Sequence, residues 1–354
     1  MVDSEQIRTL ILSEDTVIGD SIANSWNRSD RRSGAKSAPL GSTVASSDHL
    51  NLVVIFPGEA SGLARSERIS NLKDALRAIV SRSVDQVILV SSGAIIGPDH
   101  HLIGFVSEDA QKRPAIANEQ ADWWALVEKT VQDELKAALS LRLMIMRCPF
   151  LLGGDGTNLI DRVIKRRWLV RYAGFNPPLQ FLSLTGLGSA IRLASERQLQ
   201  GVYNIAPEDV VPLRPALKAM GIRSIGIPRV LQRFLRPLLF RFLDGEKTTD
   251  GIEYYRYPWT LSGKKFATET NLHLSSREAL AESGASIPQD WPEFDGFGSD
   301  EAFFKLHGKT TFRLIEKAYW RIESQGFDNF PRKGGAIVVG PHRGFMPLDA
   351  VMMF

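Results

Sequence analysis

Two short runs, Leu52-Val-Val-Ile-Phe56 and Val87-Ile-Leu-Val90, are apolar at every position. Each stops against turn formers, Pro57-Gly58 after the first and Ser91-Ser92-Gly93 after the second. A strand with one wet face alternates apolar and polar residues, whereas an unbroken apolar run of this length fits a strand covered on both sides. Helical spacing appears between the two runs, at Leu72, Leu76, Ile79 and Val80, and predicts a helix over Ile69 to Val80. A helix from about Ala121 to Ser140 and a strand at Leu143-Met-Ile-Met146 follow. Upstream, Thr9-Leu-Ile-Leu12 reads as a strand, with a turn ending at Gly19 and a helix starting over Asp20 to Trp26. Residues 27–48 are Ser, Arg, Gly and Asp without periodicity and read as a loop. Buried strands alternating with helices predict a parallel α/β sheet with ligand chemistry at the strand C-termini.

At 354 residues the chain has room for two domains. Residues 213–290 alternate short helices with Gly and Pro and read as the tail of the first. A boundary falls near 285–295, where Gly284, Pro288, Pro292 and Gly296 cluster. Asp300 to Arg321 reads as helical. A net charge of +3, with scattered Arg and Lys, argues against a nucleic-acid partner. The single Cys148 excludes an intramolecular disulfide and fits a reducing compartment. No apolar run reaches the length of a membrane span, so a cytoplasmic protein, or one peripheral on the inner face of a membrane, is expected.

At the far end, the apolar run Ala336 to Val339 reads as a strand that delivers His342 into a Gly/Pro-rich turn, with Asp349 seven residues on. Such a pair suits deprotonation of a hydroxyl, because the carboxylate fixes the imidazole tautomer and stabilises the imidazolium. The plainer alternative is a loop histidine beside a helix-capping Asp349. His342 has no second His or Cys at metal-ligand spacing, so no metal is expected. The sequence stops inside an apolar segment, as expected of a protein cut just after a catalytic motif.

Several segments together resemble the extended short-chain dehydrogenase/reductase family of the NAD-dependent epimerase/dehydratase type, over roughly residues 8–285. They are Val87 to Gly97, Ser107-Glu-Asp109, Lys129 with Glu134, Arg147-Cys-Pro149, Pro178 to Ser183 and Gly201-Val-Tyr-Asn-Ile-Ala206. Tyr254-Tyr-Arg-Tyr-Pro-Trp259 and Ser275 to Ala279 complete the set. The resemblance implies a Rossmann-like doubly wound sheet over 1–285 with a small C-terminal extension, and NAD(P) as cofactor. It places the glycine-rich pyrophosphate turn at Ser13-Glu-Asp-Thr-Val-Ile-Gly19, where Ser13 and Thr16 stand in degenerate positions and only Gly19 is a glycine. Glu14 and Asp15 put carboxylates where a diphosphate would sit, an unfavourable pairing of like charges. Ser92 matches the family's hydroxyl position and Lys129 its lysine, but Ala125 stands where the acid/base tyrosine belongs. A degenerate, non-oxidoreductive domain is the expectation, with altered cofactor binding as the alternative.

Residues 295–354 resemble the start of the glycerolipid acyltransferase family. The match runs through Asp295 to Asp300, Tyr319-Trp-Arg-Ile-Glu323, Gly326 to Pro331 and Gly335 to Asp349. The resemblance implies the truncated start of an α/β acyltransferase domain, with His342 as general base on a glycerol hydroxyl and Asp349 orienting it. Arg343 and Gly344 would meet the substrate. The acyl donor would be acyl-CoA or acyl carrier protein, the acceptor a lysophospholipid-like molecule, and no cofactor would be required. The basic amphipathic segment Pro228 to Leu243, with Arg229, Arg233 and Arg236 at helical spacing, could lie at a membrane interface or dock on its own domain. The leading expectation is therefore a lipid-metabolic acyltransferase carrying a degenerate epimerase-like domain, present here as an inactive fragment. The alternatives are an NAD(P)-dependent epimerase or reductase, and a non-enzymatic nucleotide or lipid sensor.

Overall fold

The computed structural model describes residues 7–29, 34–40, 50–59, 63–82, 84–99, 102, 104–109, 118–138, 140–154, 158–227 and 252–287, with Lys309 and Arg313 beyond them. Contacts divide the chain into a large unit, Met1–Trp291 with Asp295–Gly298, and a small one, Pro292–Phe294 with Ser299–Phe354. His342, Arg343, Gly344, Asp349 and the basic segment 228–243 lie outside the described residues, as does the helix expected over 300–321 apart from Lys309 and Arg313.

The large unit is an α/β, Rossmann-like fold. Its strands β1 (Ile7–Ser13), β2 (Gly34–Pro39), β3 (Leu50–Phe56), β4 (Val84–Ser92), β5 (Arg142–Cys148) and β10 (Gly201–Asn204) form one sheet in the order β2-β1-β3-β4-β5-β10. Every neighbouring pair in it is parallel. Helices α1 (Thr16–Ser29), α2 (Arg65–Val80), α3 (Glu119–Leu135) and α5 (Leu184–Glu196) cover its two faces. The unbroken apolar strands follow from this double cover. Val53 and Ile55 of β3 enter the core beneath α2 and α3, while Leu52, Val54 and Phe56 enter the core beneath α1 and α5. Burying a Leu, Ile or Val completely contributes about 1.5–3 kcal/mol, so a strand that is wholly apolar is worth most where both faces are dry.

The remaining elements are β6 (Phe150–Leu152), α4 (Leu159–Arg166), β7 (Trp168–Tyr172), β8 (Pro178–Leu179), β9 (Phe181–Ser183), β11 (Val211–Pro212), α6 (Leu213–Ala219), β12 (Arg223–Ile227), α7 (Lys264–Thr270) and α8 (Ser276–Glu282). The short strands pair two by two, β6 with β9, β7 with β12 and β8 with β11. A ring cluster binds the late segment to this region. Phe150 stacks on Tyr255 at 5.5 Å and meets Trp259 edge-on at 4.8 Å.

Three local expectations differ from the structure. Residues 27–48 contain β2, a polar edge strand (Gly-Ala-Lys-Ser-Ala-Pro) whose side chains carry no apolar pattern to betray it. Helix α1 begins at Thr16 rather than near Asp20, because the Asp15 carboxylate accepts from the Ile18 N–H at 3.0 Å and caps it there. Val80 is 40% exposed, so α2 faces inward through Leu72, Ala75, Leu76 and Ile79. No helix among the described residues is long and apolar enough to cross a membrane.

The start of α7 is fixed by a close backbone approach. A Cβ on Gly263 would run into the Ala206 carbonyl oxygen, which is main chain and has little freedom to retreat. Gly263→Ala should therefore destabilise the domain by about 1–3 kcal/mol, as overpacked cores do, which thermal or urea unfolding followed by circular dichroism would measure.

Candidate functional site

The sheet order places a topological switch between β1 and β3: the chain leaves β1 toward the β2 edge and returns on the opposite side through β3. Ligands of open α/β sheets bind in the crevice at the carboxyl ends of such strands. Ser13-Glu14-Asp15 and Pro57-Gly58-Glu59 meet at this crevice.

Its centre is Arg68 of α2, only 3% exposed. The Arg68 guanidinium pairs with Glu14, Nη2 to Oε2 at 2.7 Å and Nε to Oε2 at 2.9 Å. It also donates to the carbonyls of Pro57 at 2.8 Å and Gly58 at 3.1 Å. The guanidinium carbon stands 3.9 Å from the centroid of Trp123, whose indole N–H donates to the Gly58 carbonyl at 3.0 Å. One cation thus ties the β1 turn, the end of β3, α2 and α3 together. Burial raises the Glu14 carboxyl above its ordinary value, and Arg68 opposes that rise.

The turn itself is saturated by its own side chains. Besides capping α1, Asp15 is locked to Ser13, whose hydroxyl donates to the Asp15 carbonyl at 2.5 Å and accepts from the Asp15 N–H at 3.1 Å. Thr16 is exposed. Gly19 is required for packing, since a Cβ there would sit 2.6 Å from Ser37 Oγ and 3.0 Å from Ser13 Cβ. Of the three positions on the expected pyrophosphate turn, then, Ser13 serves the turn's internal bonds and Gly19 the contact of α1 with β1 and β2.

Beside the turn lies a second acidic group. The Glu59 carboxylate accepts from the Leu159 N–H at 2.7 Å and sits 3.5 Å from the Ser92 hydroxyl. Burial raises its pKa, with the Leu159 N–H and the Arg162 charge acting against the rise. Asp161 accepts from Asn158 Nδ2 at 2.7 Å. Burial first, then the charges of Asp15 and Glu59, lift Asp161 to about 7. The approach is tight: a methyl group on Gly154 would collide with Asp161 Oδ2 and lie 3.0 Å from Asp15 Oδ2.

Ser92 ends β4 and caps the following short 3-10 turn, accepting from the Ala94 N–H at 3.1 Å. Tyr254 holds that turn from above, its hydroxyl donating to the Ala94 carbonyl at 2.7 Å. Lys129, by contrast, is exposed, so the structure does not bring it to Ser92. Helical geometry gives the reason, because the buried face of α3 is Trp124, Val127, Glu128 and Val131, and Lys129 is one step past it. The inward pair four residues apart is Trp124 and Glu128, not Ala125 and Lys129. Glu128 accepts from the Ser91 hydroxyl at 2.7 Å and pairs with Arg147 at 2.9 Å. Trp124 is 1% exposed, and its indole N–H faces Glu59 without a hydrogen bond of regular geometry.

Sequence reasoning singled out Glu14, Asp15 and Ser92 but not Arg68, Glu59 or Asp161. Arg68 could have been, since it precedes Leu72 by one turn and so falls on the inward face of α2. Glu59, at a strand C-terminus after Pro57-Gly58, carried a similar positional signal. Asp161 carried none, because the carboxylates that bear on it, Asp15 and Glu59, come from two distant segments. Cys148 is buried and pushed up to about 12, which makes it an inert thiol. Among the described residues, no group of three or more His, Cys, Asp or Glu could hold a metal ion.

These residues do not fit a dinucleotide. The anion-binding end of α1 is filled by Asp15, and the adjoining cation is committed to Glu14. A diphosphate would meet carboxylates where it needs N–H groups.

No family profile matches the chain. A stretch of 59 residues is 37% identical to an uncharacterized protein of Mycobacterium tuberculosis, and equally to one of Mycobacterium leprae. The match covers 17% of this chain and 16% of theirs, so the chain spans about a sixth of the length of the curated relatives it matches. Solved structures are similar over most of the chain. DesIV, a dTDP-glucose 4,6-dehydratase from Streptomyces venezuelae with NAD bound, has a TM-score of 0.57 at 14% identity, covering 78% of this chain and 95% of that one. MoeE5 in complex with UDP-glucose and NAD has a TM-score of 0.56 at 16% identity, covering 77% and 96%. The dTDP-glucose 4,6-dehydratase of Bacillus anthracis in complex with NAD has 0.53 at 13%, covering 78% and 94%. At such identities the likeness shows the fold, that of extended short-chain dehydrogenases of the epimerase/dehydratase type.

Removing one member of a buried pair strands the other. Arg68→Met should cost about 3–5 kcal/mol in urea unfolding. Adding Glu14→Leu should recover part of that loss, giving a coupling of roughly 1–3 kcal/mol in a double-mutant cycle. Additive losses would mean that the two side chains act separately.

Proposed function

We propose that residues 7–287 form a ligand-binding or scaffolding domain with the architecture of NAD-dependent epimerases and dehydratases that does not transfer hydride through a tyrosine–lysine pair. The observation that carries this reading is the buried Glu14–Arg68 pair in the switch-point crevice. The inward positions of α3 support it, because the Trp124 indole N–H is far too weak an acid for acid/base work near neutral pH and Glu128 is committed to Ser91 and Arg147.

A second reading, an NAD(P)-dependent epimerase or reductase, draws its support from the similar solved structures, which are described with NAD bound. These comparisons favour it over acyl transfer. It makes a definite demand: the dinucleotide would have to displace the Glu14–Arg68 pair and uncap α1. Titration of the full chain with NADPH, followed by nicotinamide fluorescence, separates the two. The domain reading expects no saturable change at millimolar NADPH, whereas binding in the micromolar range would replace it with the epimerase or reductase reading.

Acyl transfer from an acyl-CoA or acyl carrier protein to a lysophospholipid-like acceptor is a proposal for the protein that contains residues 295–354. It rests on the sequence resemblance alone, with His342 as base and Asp349 orienting it; a membrane contact through 228–243 rests on the helical spacing of Arg229, Arg233 and Arg236 among apolar residues. In a protein that carries this segment and transfers acyl groups, His342→Ala should abolish transfer of a radiolabelled acyl group to lysophosphatidate. Retained transfer would remove that role from His342.

A further inference from the structure

A net charge of only +3 conceals a segregation along this chain. No Asp or Glu occurs from Arg162 to Ser195, a stretch that carries Lys165, Arg166, Arg167 and Arg171. None occurs from Val210 to Leu243 either, and that stretch carries Arg214, Lys218 and Arg223 before it reaches the arginines of 228–243. The fold joins the two stretches, because β7 and β12 pair in parallel, with Trp168 beside Arg223 and Val170 beside Ile225. Cations that are spread along the sequence are thereby gathered on one two-stranded ribbon and on α6, the helix that leads into it.

Residues side by side in a sheet point the same way, so Trp168, Arg223 and Ile225 share one face of the ribbon. Trp168 is 39% exposed and Ile225 38%, and the Arg223 guanidinium stands 5.7 Å from the Trp168 ring centroid. Arg167, exposed just before β7, donates to the Met220 carbonyl at 3.2 Å and so reaches the turn between α6 and β12. Arg214 and Lys218 are exposed four residues apart on α6. Burial first, then the charge of Arg214, lowers the pKa of the Arg171 guanidinium below its ordinary value. Surface cations are commonly offset by carboxylates nearby. Among the described residues, no carboxylate pairs with Arg167, Arg171, Arg214, Lys218 or Arg223. Glu253, which meets β7 through the Tyr172 hydroxyl at 2.9 Å, is paired with Arg256 at 3.3 Å.

A partner that complements this surface carries negative charge, and the exposed apolar pair narrows its class. A nucleic acid offers an indole a base to stack on but offers Ile225 nothing. A headgroup layer accommodates both, since indoles settle at the interface and aliphatic side chains gain by entering its apolar boundary. We infer that the β7–β12 ribbon and α6 form a docking face for an anionic lipid bilayer, with Arg214, Lys218 and Arg223 meeting headgroups and Trp168 and Ile225 at the acyl boundary. These residues belong neither to the switch-point crevice nor to 228–243, so their variants separate this contact from both.

Cosedimentation of the full chain with phosphatidylcholine–phosphatidylglycerol vesicles tests this, with vesicles of phosphatidylcholine alone as the reference. The chain should bind the anionic vesicles, release them as salt is added, and stay in solution beside the neutral ones. Each of Arg214→Ala, Lys218→Ala and Arg223→Ala should lower the partition coefficient by about fivefold, the effect of one cation near a charged surface. The circular dichroism of these variants should match the parent, because the three side chains are exposed. With anionic vesicles, the emission of the parent minus that of Trp168→Phe should shift to the blue. Absence of binding, or equal binding to both kinds of vesicle, would overturn the docking face. So would binding that survives all three substitutions together but is lost when Arg229, Arg233 and Arg236 are replaced by Ala. Retention of a DNA duplex in place of vesicles would overturn it in favour of a nucleic-acid surface.

Discussion

A guanidinium without water needs a full set of acceptors, and Arg68 has one: a carboxylate, two carbonyls and an aromatic face. The rest of the crevice depends on that arrangement. Because the acceptors come from the β1 turn and the end of β3, their spacing fixes how far apart the two strands can splay. Because the ring beneath is Trp123, α3 is held to the same point. The switch point of an open sheet is where a ligand would normally complete the structure. In this chain the protein completes it with its own ion pair.

Around that pair the electrostatics run opposite to those of a phosphate site. Helix N-termini favour anions, and α1 has an anion, but it is the covalently attached Asp15. An attached carboxylate needs no association and displaces a dissolved phosphate by proximity alone. Glu59 and Asp161 then sit in the low-dielectric space behind it, where charge is costly. Their raised pKa values are the measure of that cost, and they arise from burial before any neighbouring charge is counted.

Much of the fold was legible in the sequence because the strongest pattern, unbroken apolar strands, is created by the same double burial that defines the sheet. Strands β1, β3, β4 and β5 were visible for that reason. The edge strand β2 was not, since a solvated strand has no need of apolar side chains. The site was less legible. Ser13, Gly19 and Ser92 could be placed by order along the chain, and the structure keeps Ser13 and Ser92 at strand ends and Gly19 in α1. Lys129 was matched by the resemblance, and it stands one residue off the buried face of α3. Arg68, Glu59 and Asp161 depend on contacts between segments about fifty to a hundred residues apart, which no local window contains.

On the scaffolding reading, the β1 turn and the inward face of α3 are filled in the same manner. A domain that had merely lost its catalytic groups would leave holes: an anion site without an anion, or a buried polar atom without a partner. Instead the turn is filled by Asp15 and Glu14, and the α3 face by Trp124 and a Glu128 bound to Ser91 and Arg147. Both substitutions trade an exchangeable ligand contact for a permanent internal one. Permanent contacts raise stability and lower responsiveness, which suits a shell that positions something else. Among the described residues of the crevice the exceptions are the Trp124 indole nitrogen, the Tyr255 hydroxyl and an Arg162 nitrogen, all buried without a hydrogen-bond partner. Those atoms mark where the internal contacts are incomplete, and so where the replacement of ligand contacts by internal ones stops short.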